Sequence, residues 1–330
     1  MQGYKILSKQ IFSSGKYFLV PIRFEDRFDI MKWRNEQIYH LRQSKPLTLE
    51  DQETYFEHVV AKLFDQDCPS QLLFSFLEGE ICIGYGGLVH INWVDNNAEI
   101  SFVINTSKED SFLKYWELFL SLIKILAFKE LNLHKIFTYS FDVRPNLNVA
   151  LLNCGFKQES RLIEHSKVNE VYTDVLYHSF LNPKHYLISR LAELDDMLLF
   201  FNWVNDEHVR INSLKNNLIN YTDHQQWFRN KINDENCRIH VYLNKFNIPI
   251  GQIRIEFIDN EWVINYSIDK NYRQLGLGNI LIKDILTKYP NKKFKAFVKT
   301  NNIASIRIFQ NIGFSELSNE NNVITFITCT

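Results

Sequence analysis

Tyr272-Arg273-Gln274-Leu275-Gly276-Leu277-Gly278-Asn279 lies between an apolar run, 262–268, and an amphipathic run, 280–288. The first run has the composition of a strand and the second the spacing of a helix. A strand therefore enters a glycine loop, and the loop opens a helix. Such a turn leaves the first N–H groups of the helix without intrahelical acceptors, with the positive end of the helix dipole behind them. That place favours a phosphate or pyrophosphate. Gly276 and Gly278 let the backbone approach an anion because no Cβ stands in the way. Two nucleotide-binding patterns are absent. The position three after Gly278 is Leu281, so there is no G-x-G-x-x-G, and no lysine follows the second glycine as in a Walker loop.

The downstream sequence narrows the meaning of the loop. Residues 294–299 alternate as a strand, and 301–314 read NNIASIRIFQNIGF, with Asn302, Ser305, Phe309, Gly313 and Phe314 at fixed spacing. Arg273, Gly276 and Gly278 resemble the Q/R-x-x-G-x-G/A loop of the GNAT (Gcn5-related) acetyltransferases. The later segment resembles that family's N-x-x-(S/A)-x-x-x-(Y/F)-x-x-x-G-F helix. The resemblance implies that Ile268, Arg273, Gln274, Leu275, Gly276, Leu277, Gly278 and Asn279 cradle the pyrophosphate of acetyl-CoA. It places Asn302, Ser305 and Phe309 along the pantetheine arm, with Asn302 bonding near the thioester. Gly313 would end the helix as its left-handed cap.

The bulk properties exclude several classes. A chain of 330 residues is comfortable as two domains, and 45% hydrophobic with 14% aromatic residues suits packed cores. A formal net charge of −1 offers no generic attraction to nucleic acid or to a membrane surface. Cys68, Cys82, Cys154, Cys237 and Cys329 are scattered and form no C-x-x-C, so they read as buried free thiols in a reducing cytosol, with no metal site. The start, MQGYKILSKQIF, has no apolar run of the signal-peptide kind, which predicts a cytoplasmic protein. The most apolar helix candidate, 112–128, carries Lys114, Glu117 and Lys124 and is too polar to span a bilayer.

Taken in order, residues 4–12 and 17–23 read as a hairpin, and 26–36 as a helix. Thr48 and Asp51 form a capping box that opens a second helix. Strands follow at 72–78, 80–91 and 98–104, then a long helix at 112–131, a strand at 135–141, a short helix at 148–153 and a strand at 172–180. Leu181-Asn182-Pro183-Lys184 reads as a linker. After it the order repeats, with helices at 195–205 and from 222, and strands at 240–244 and 250–258. Trp33-x-Asn35 answers Trp203-x-Asn205, Tyr55-Phe56 answers Trp227-Phe228, Ile83-Gly84 answers Ile250-Gly251, and Gly155-Phe156 answers Gly313-Phe314. The offsets fall only from about 170 to about 158, as short loop differences would produce. The expected fold is α/β (α+β): two tandem GNAT-like domains, 1–182 and 183–330, each a mixed, largely antiparallel sheet flanked by helices.

The halves differ where the family resemblance places chemistry. Counting back along the long helix of the first half puts Lys114 and Trp116 at the glycine positions, and Arg144 at the place of Asn302. Glu99 stands where many family members carry a general base. The first half therefore reads as degenerate at the acetyl-CoA site. The second half has the donor loop, but Val263 replaces that glutamate and Phe309 replaces the usual tyrosine. Glu261 and Asn265 share the face of Val263. With His224 and Tyr266 they are the candidates for moving protons. Each has a structural alternative: Glu261 a solvated turn residue, His224 a helix cap, Tyr266 a core residue.

Trp203, Asn205, Asp206, Arg210, Ser213, His224, Trp227 and Phe228 resemble a W-x-N-D…V-R…S…H-x-x-W-F pattern of GNAT enzymes that acetylate nucleotide-linked amino sugars, as in the pseudaminic and legionaminic acid pathways. The resemblance makes Trp203, Asn205, Asp206, Arg210 and Trp227 acceptor-binding. Polar side chains would bond hydroxyls and indole faces would stack on rings. The expected activity is acetyl-CoA-dependent N-acetylation of a small-molecule amino sugar for surface glycans, with no metal, nucleic-acid or membrane partner. RimJ/RimL-type peptide N-terminal acetylation and a non-enzymatic acyl-CoA-binding scaffold are the alternatives.

Overall fold

The structure, a computed structural model, describes residues 3–328. Its chain divides into two compact units, Met1–Asn182 and Pro183–Thr330. The first runs β1 (Phe12–Ser14), β2 (Tyr17–Pro21), α1 (Arg27–Glu36), α2 (Leu49–Tyr55), α3 (Ala61–Leu63), β3 (Leu72–Glu78), β4 (Ile81–Asn92), β5 (Asn97–Ile104), α4 (Phe112–Ile125), β6 (Lys135–Phe141), α5 (Pro145–Asn153), β7 (Lys157–Val168) and β8 (Val171–Leu181). The second runs β9 (Ile188–Leu191), α6 (Met197–Val204), α7 (Glu207–Asn212), α8 (Tyr221–Ile232), β10 (Cys237–Leu243), β11 (Pro249–Ile258), β12 (Glu261–Ile268), α9 (Leu277–Lys288), β13 (Phe294–Lys299), α10 (Ile303–Ile312), β14 (Phe314–Glu320) and β15 (Val323–Thr328).

Each unit is a mixed sheet between helices. The strand orders are β1-β2-β3-β4-β5-β6-β8-β7 and β9-β10-β11-β12-β13-β15-β14. Apart from β1 they superpose strand for strand, with one parallel pair in each, β5–β6 and β12–β13. The duplication extends to side chains. The amide of Asn35 brackets the backbone of Leu47 (2.8 and 2.9 Å), as Asn205 brackets Ile219 (2.9 and 2.9 Å). Arg23 grips Asp26 through two nitrogens, as Arg190 grips Asp196.

Local chemistry sets the element ends. Thr48 and Asp51 exchange both capping-box hydrogen bonds at the start of α2. Pro145 occupies the first position of α5, where its missing N–H costs nothing, so this helix begins earlier than position 148. Gly313 ends α10 at φ 98°, a left-handed cap. In the second unit α6 and α8 bury Phe200, Trp203 and Phe228 on Ile239 and Val241 of β10. The opposite sheet face packs on α9, whose Leu281 approaches Gly251 of β11.

Several expectations are corrected. Residues 4–12 are not a strand; only Phe12–Ser14 pairs with β2. Tyr4 instead turns inward, where its hydroxyl donates to the Leu73 carbonyl (2.7 Å) and accepts the Leu73 N–H (2.9 Å). The stretch 181–184 does hold the junction of the two units, between Asn182 and Pro183, and it is ordered. Leu181 ends β8, buried Asn182 donates to the Leu133 carbonyl at 2.9 Å, and Pro183–His185 form a 3-10 turn. Cys68 is exposed rather than buried, Cys82, Cys154 and Cys237 are free thiols, and Cys329 lies outside the described residues, as do Met1 and Gln2 of the N-terminal segment. The cap of α4 is Ser111, so Lys114 and Trp116 sit inside the helix. The miscount arises because α4 continues into a π turn, Leu126–Glu130, which adds residues to a count made from its far end.

Candidate functional site

The glycine loop of the second unit is built as a turn with little freedom. Asp269 caps the short turn Lys270–Tyr272, accepting the Asn271 N–H at 2.9 Å. Leu275 and Leu277 are buried on either side of Gly276 and fix the loop's height over the sheet. Gln274 and Gly276 have φ of 64° and 83°, left-handed values that suit glycine at the cap of α9. The amides of the first turn of α9 are thereby left facing outward. Gly278 answers a different need. A Cβ there would lie 2.7 Å from Ile308 Cδ1 and 3.2 Å from Tyr266 Cε2, so any side chain would push the Ile308 end aside and crowd the Tyr266 ring.

A slot opens beside the loop. β12 and β13 pair only at Trp262–Phe294 and Val263–Lys295, then diverge. Beyond Val263 this edge of β12 has no strand partner, so its backbone groups can bond an extended arm. Asn302 caps α10, its Oδ1 accepting the Ser305 N–H at 3.2 Å. Tyr266 and Ser305 place their hydroxyls 2.8 Å apart, and the Tyr266 ring meets Phe309 edge-on at 6.0 Å. Burial raises the Tyr266 pKa, so its proton is retained. Phe309 is buried against Phe314 and Phe326 and has no proton to give.

The other face of β12 carries a polar patch. Gln252 lies opposite Ser267, Arg254 opposite Asn265 and Glu256 opposite Val263. The Gln252 Nε2 donates to Asn265 Oδ1 and Ser267 Oγ, each at 3.3 Å, while its Oε1 is buried with no partner. Glu256 is neutralised by Lys231 at 2.5 Å and Arg254 at 3.5 Å, and Arg254 stacks on the partly buried Trp227. Gln252, Arg254 and Ser267 went unread in the sequence. Their signal is polar residues alternating with Ile253 and Ile255 on a strand that should be central.

Several candidates have other work. His224 is 2% exposed, its Nε2 donating to the Met197 carbonyl at 3.1 Å among Phe201, Trp227 and Phe228. It is a core histidine whose pKa is lowered by burial and does not wall a pocket. Glu261 begins β12, at the end away from the loop, and pairs on the surface with Lys295 at 2.6 Å. Trp203 donates Nε1–H to Asp269 at 2.9 Å. Arg273 donates to Asp206 Oδ1 at 2.7 Å and to the Ile268 carbonyl at 3.0 Å. Burial raises the Asp206 pKa, but the Arg273 hydrogen bond and charge outweigh it and hold the carboxyl below its usual range. Asn205 pins Ile219, and Arg210 binds the Lys215 and Asn217 carbonyls and Ser213 Oγ. Trp203, Asn205, Asp206 and Arg210 thus brace the loops around them.

In the first unit the parallel register aligns Ala98–Ile136 with Trp262–Phe294, which makes Glu99 the counterpart of Val263. Glu99 is buried and held by Arg42 and by His90 Nδ1 at 2.9 Å. No glycine lies between Asn105 and Phe112, and the turn before α4 carries Glu109 and Asp110. Arg144 lies over Phe112 at 5.1 Å and Trp116 at 5.6 Å.

Among the described residues no helix is long and apolar enough to cross a membrane, and no cluster of His, Cys, Asp and Glu could hold a metal. No curated protein sequence matches the chain. Solved structures of similar fold include mutant forms of the spermidine/spermine N-acetyltransferase SpeG from Vibrio cholerae, at 21% identity and TM-score 0.45 over 52% of this chain and 97% of that one. Spermidine N-acetyltransferase from Vibrio cholerae in complex with CoA and spermine gives 19% and 0.46 over 51% and 96%. A domain from Methanocaldococcus jannaschii gives 19% and 0.38 over 43% and 97%. Residues 19–177 match the acetyltransferase (GNAT) domain family, and residues 198–314 match the acetyltransferase (GNAT) family. The chain carries two GNAT domains in tandem and is an N-acetyltransferase of the GNAT type, with acetyl-CoA as its co-substrate.

Proposed function

We propose that the chain acetylates the amino group of a nucleotide-linked amino sugar. In this reading residues 183–330 bind the donor and carry the reaction, and residues 1–182 are a degenerate copy. The supporting observation is the patch on β11 and β12. Gln252, Asn265 and Ser267 offer neutral hydrogen-bonding groups, with an unpartnered buried oxygen on Gln252, and the carboxylate beside them is already matched by Lys231 and Arg254. Hydroxyls and amides suit such a surface, and Arg254 suits a phosphate. A polyamine, carrying several ammonium groups, calls for uncompensated carboxylates instead.

The amine must arrive neutral. Its nitrogen attacks the thioester carbonyl, the C–S bond breaks, the amine loses a proton and the CoA thiolate gains one. Acetyl-CoA supplies the activated acyl group. The unpaired edge of β12 orients its arm, and backbone N–H groups there stabilise the oxyanion. Tyr266, kept protonated by burial and bridged to Ser305, is the proton donor in place of Phe309.

Thiol release from acetyl-CoA tests this, with nucleotide-linked amino sugars, spermidine and N-terminal peptides as acceptors. Release with the amino sugars is expected. Turnover restricted to spermidine or to peptides overturns the acceptor, and no turnover with any amine favours a binding scaffold. Tyr266→Phe is expected to lower kcat by about 10²–10⁴-fold, the usual contribution of a general acid, with CoA affinity unchanged.

A further inference from the structure

We propose that Lys299 is a positioning residue of the acceptor site, latching the 211–217 segment across the gap between β12 and β13. It is the last residue of β13. Lys295 pairs with Val263 in the parallel ladder, and side chains alternate along a strand. Lys295, Phe297 and Lys299 therefore stand on the sheet face that carries Asn265 and Ser267. The Lys299 ammonium donates to the Ile211 carbonyl at 2.9 Å and to Asn216 Oδ1. Its backbone carbonyl accepts the N–H of Asn302, the cap of α10, at 2.9 Å. One residue thus joins the end of α7, the loop after it and the start of α10.

α7 is tied at both ends. At its start Asp206 binds Arg273, which also bonds the Ile268 carbonyl at the end of β12. At its end Ile211 binds Lys299, at the end of β13. These are the two strands that diverge beyond Val263 and Lys295, so α7 bridges them on the face of the Gln252 patch. Arg210 holds the segment to itself, through the Lys215 and Asn217 carbonyls and Ser213 Oγ. That bonding sets the shape of the segment and leaves its height over the sheet to the latch. Ile211, Leu214 and Leu218 are 52%, 57% and 76% exposed, so apolar burial does not hold it down. The latch is particular to this unit. The register places Phe141 at the corresponding position of the first unit, and phenylalanine donates nothing.

An acceptor lying on Gln252, Asn265 and Ser267 must turn its amine into that gap to meet the thioester, and it passes the bridge to do so. The latch sets the direction of approach, and a misplacement of about 1 Å can cost about a hundredfold in rate. This inference deepens the proposed function and rests on the donor site of the second unit. K299M, K299R and G276D are compared with the parent chain, using the fastest amine of the thiol-release panel and calorimetric titration with CoA. Lys299→Met, which keeps the stem, is expected to lower kcat/KM for the amine by about ten- to a hundredfold, with CoA affinity and melting midpoint unchanged. Hydrogen exchange of the 211–217 amides is expected to quicken in the same variant. Lys299→Arg keeps the donors and is expected to recover most of the loss. Unchanged kcat/KM or unchanged exchange in K299M overturns the positioning role, and so does a fall in CoA affinity or melting midpoint in step with the rate. Full activity in G276D overturns instead the reading beneath it, that the second unit holds the donor. No turnover with any amine of the panel overturns both.

Discussion

His224 and Tyr266 illustrate how placement decides a residue's role. His224 is enclosed by rings and donates its Nε2 proton to a carbonyl twenty-seven residues earlier in the chain. His224→Ala is expected to cost about 2–4 kcal/mol in stability, from the cavity and the lost hydrogen bond, with kcat/KM per folded molecule preserved. Denaturant melts and initial rates measured together check this; a loss of kcat/KM at unchanged stability would restore a catalytic histidine. The pH dependence follows. Burial lowers the pKa of His224, and it lowers His240 to about 4. Both are neutral in the fold and take up protons more readily when unfolded. Their contribution is complete above the unfolded pKa near 6.5 and is lost as pH falls below it, by about 1.4 kcal/mol per pH unit for each while the folded state stays unprotonated. The second unit should therefore melt earlier at pH 5 than at pH 7, and a flat profile there would contradict the buried neutral state. In the sequence a histidine near a helix start looks the same whether it faces a pocket or the core. The carbonyl of Met197 that decides the matter is not local. Tyr266 was readable as a candidate because its strand leads directly into the loop.

At the scale of elements, the glycine loop and α10 were legible as structure because glycine, cap and helix chemistry act within a few residues. The acceptor side was not. Trp203, Asn205, Asp206 and Arg210 fit a substrate pattern in sequence, yet their bonds run to Asp269, Ile219, Arg273 and the 213–217 backbone. Strands β7, β9 and β14 escaped for another reason. They are short or polar edge strands, such as Lys157–Val168, whose exposed faces erase the alternation that marks a half-buried strand. The lacing of α6 and α7 to the loop has an energetic consequence. Asp206 caps α7 by accepting the Val209 N–H at 3.1 Å and also anchors Arg273. Asp206→Ala is expected to loosen the loop and raise the KM for acetyl-CoA about tenfold. Arg273→Ala should do likewise, and the double variant should lose less than the product of the two, with a coupling of about 0.5–3 kcal/mol. Strict additivity would mean that the pair does not act as a unit.

Across the whole molecule the two units share one strand order but differ at corresponding positions. The first has the glutamate at position 99 but neither loop glycine, and its Arg144 lies over Phe112 and Trp116. The second retains the loop and the slot but has Val263 in place of the glutamate. The Glu99 carboxylate is engaged by Arg42 and His90. Donor binding should then be confined to the second unit, and two measurements bear on this. Calorimetric titration with CoA is expected to give one site per chain, abolished by Gly276→Asp. In a thermal scan, CoA at a hundredfold excess over its Kd should stabilise the unit that binds it by about 2.7 kcal/mol, leaving a separate transition of the other unit in place. A second CoA site that survives Gly276→Asp would place a working donor site in the first unit.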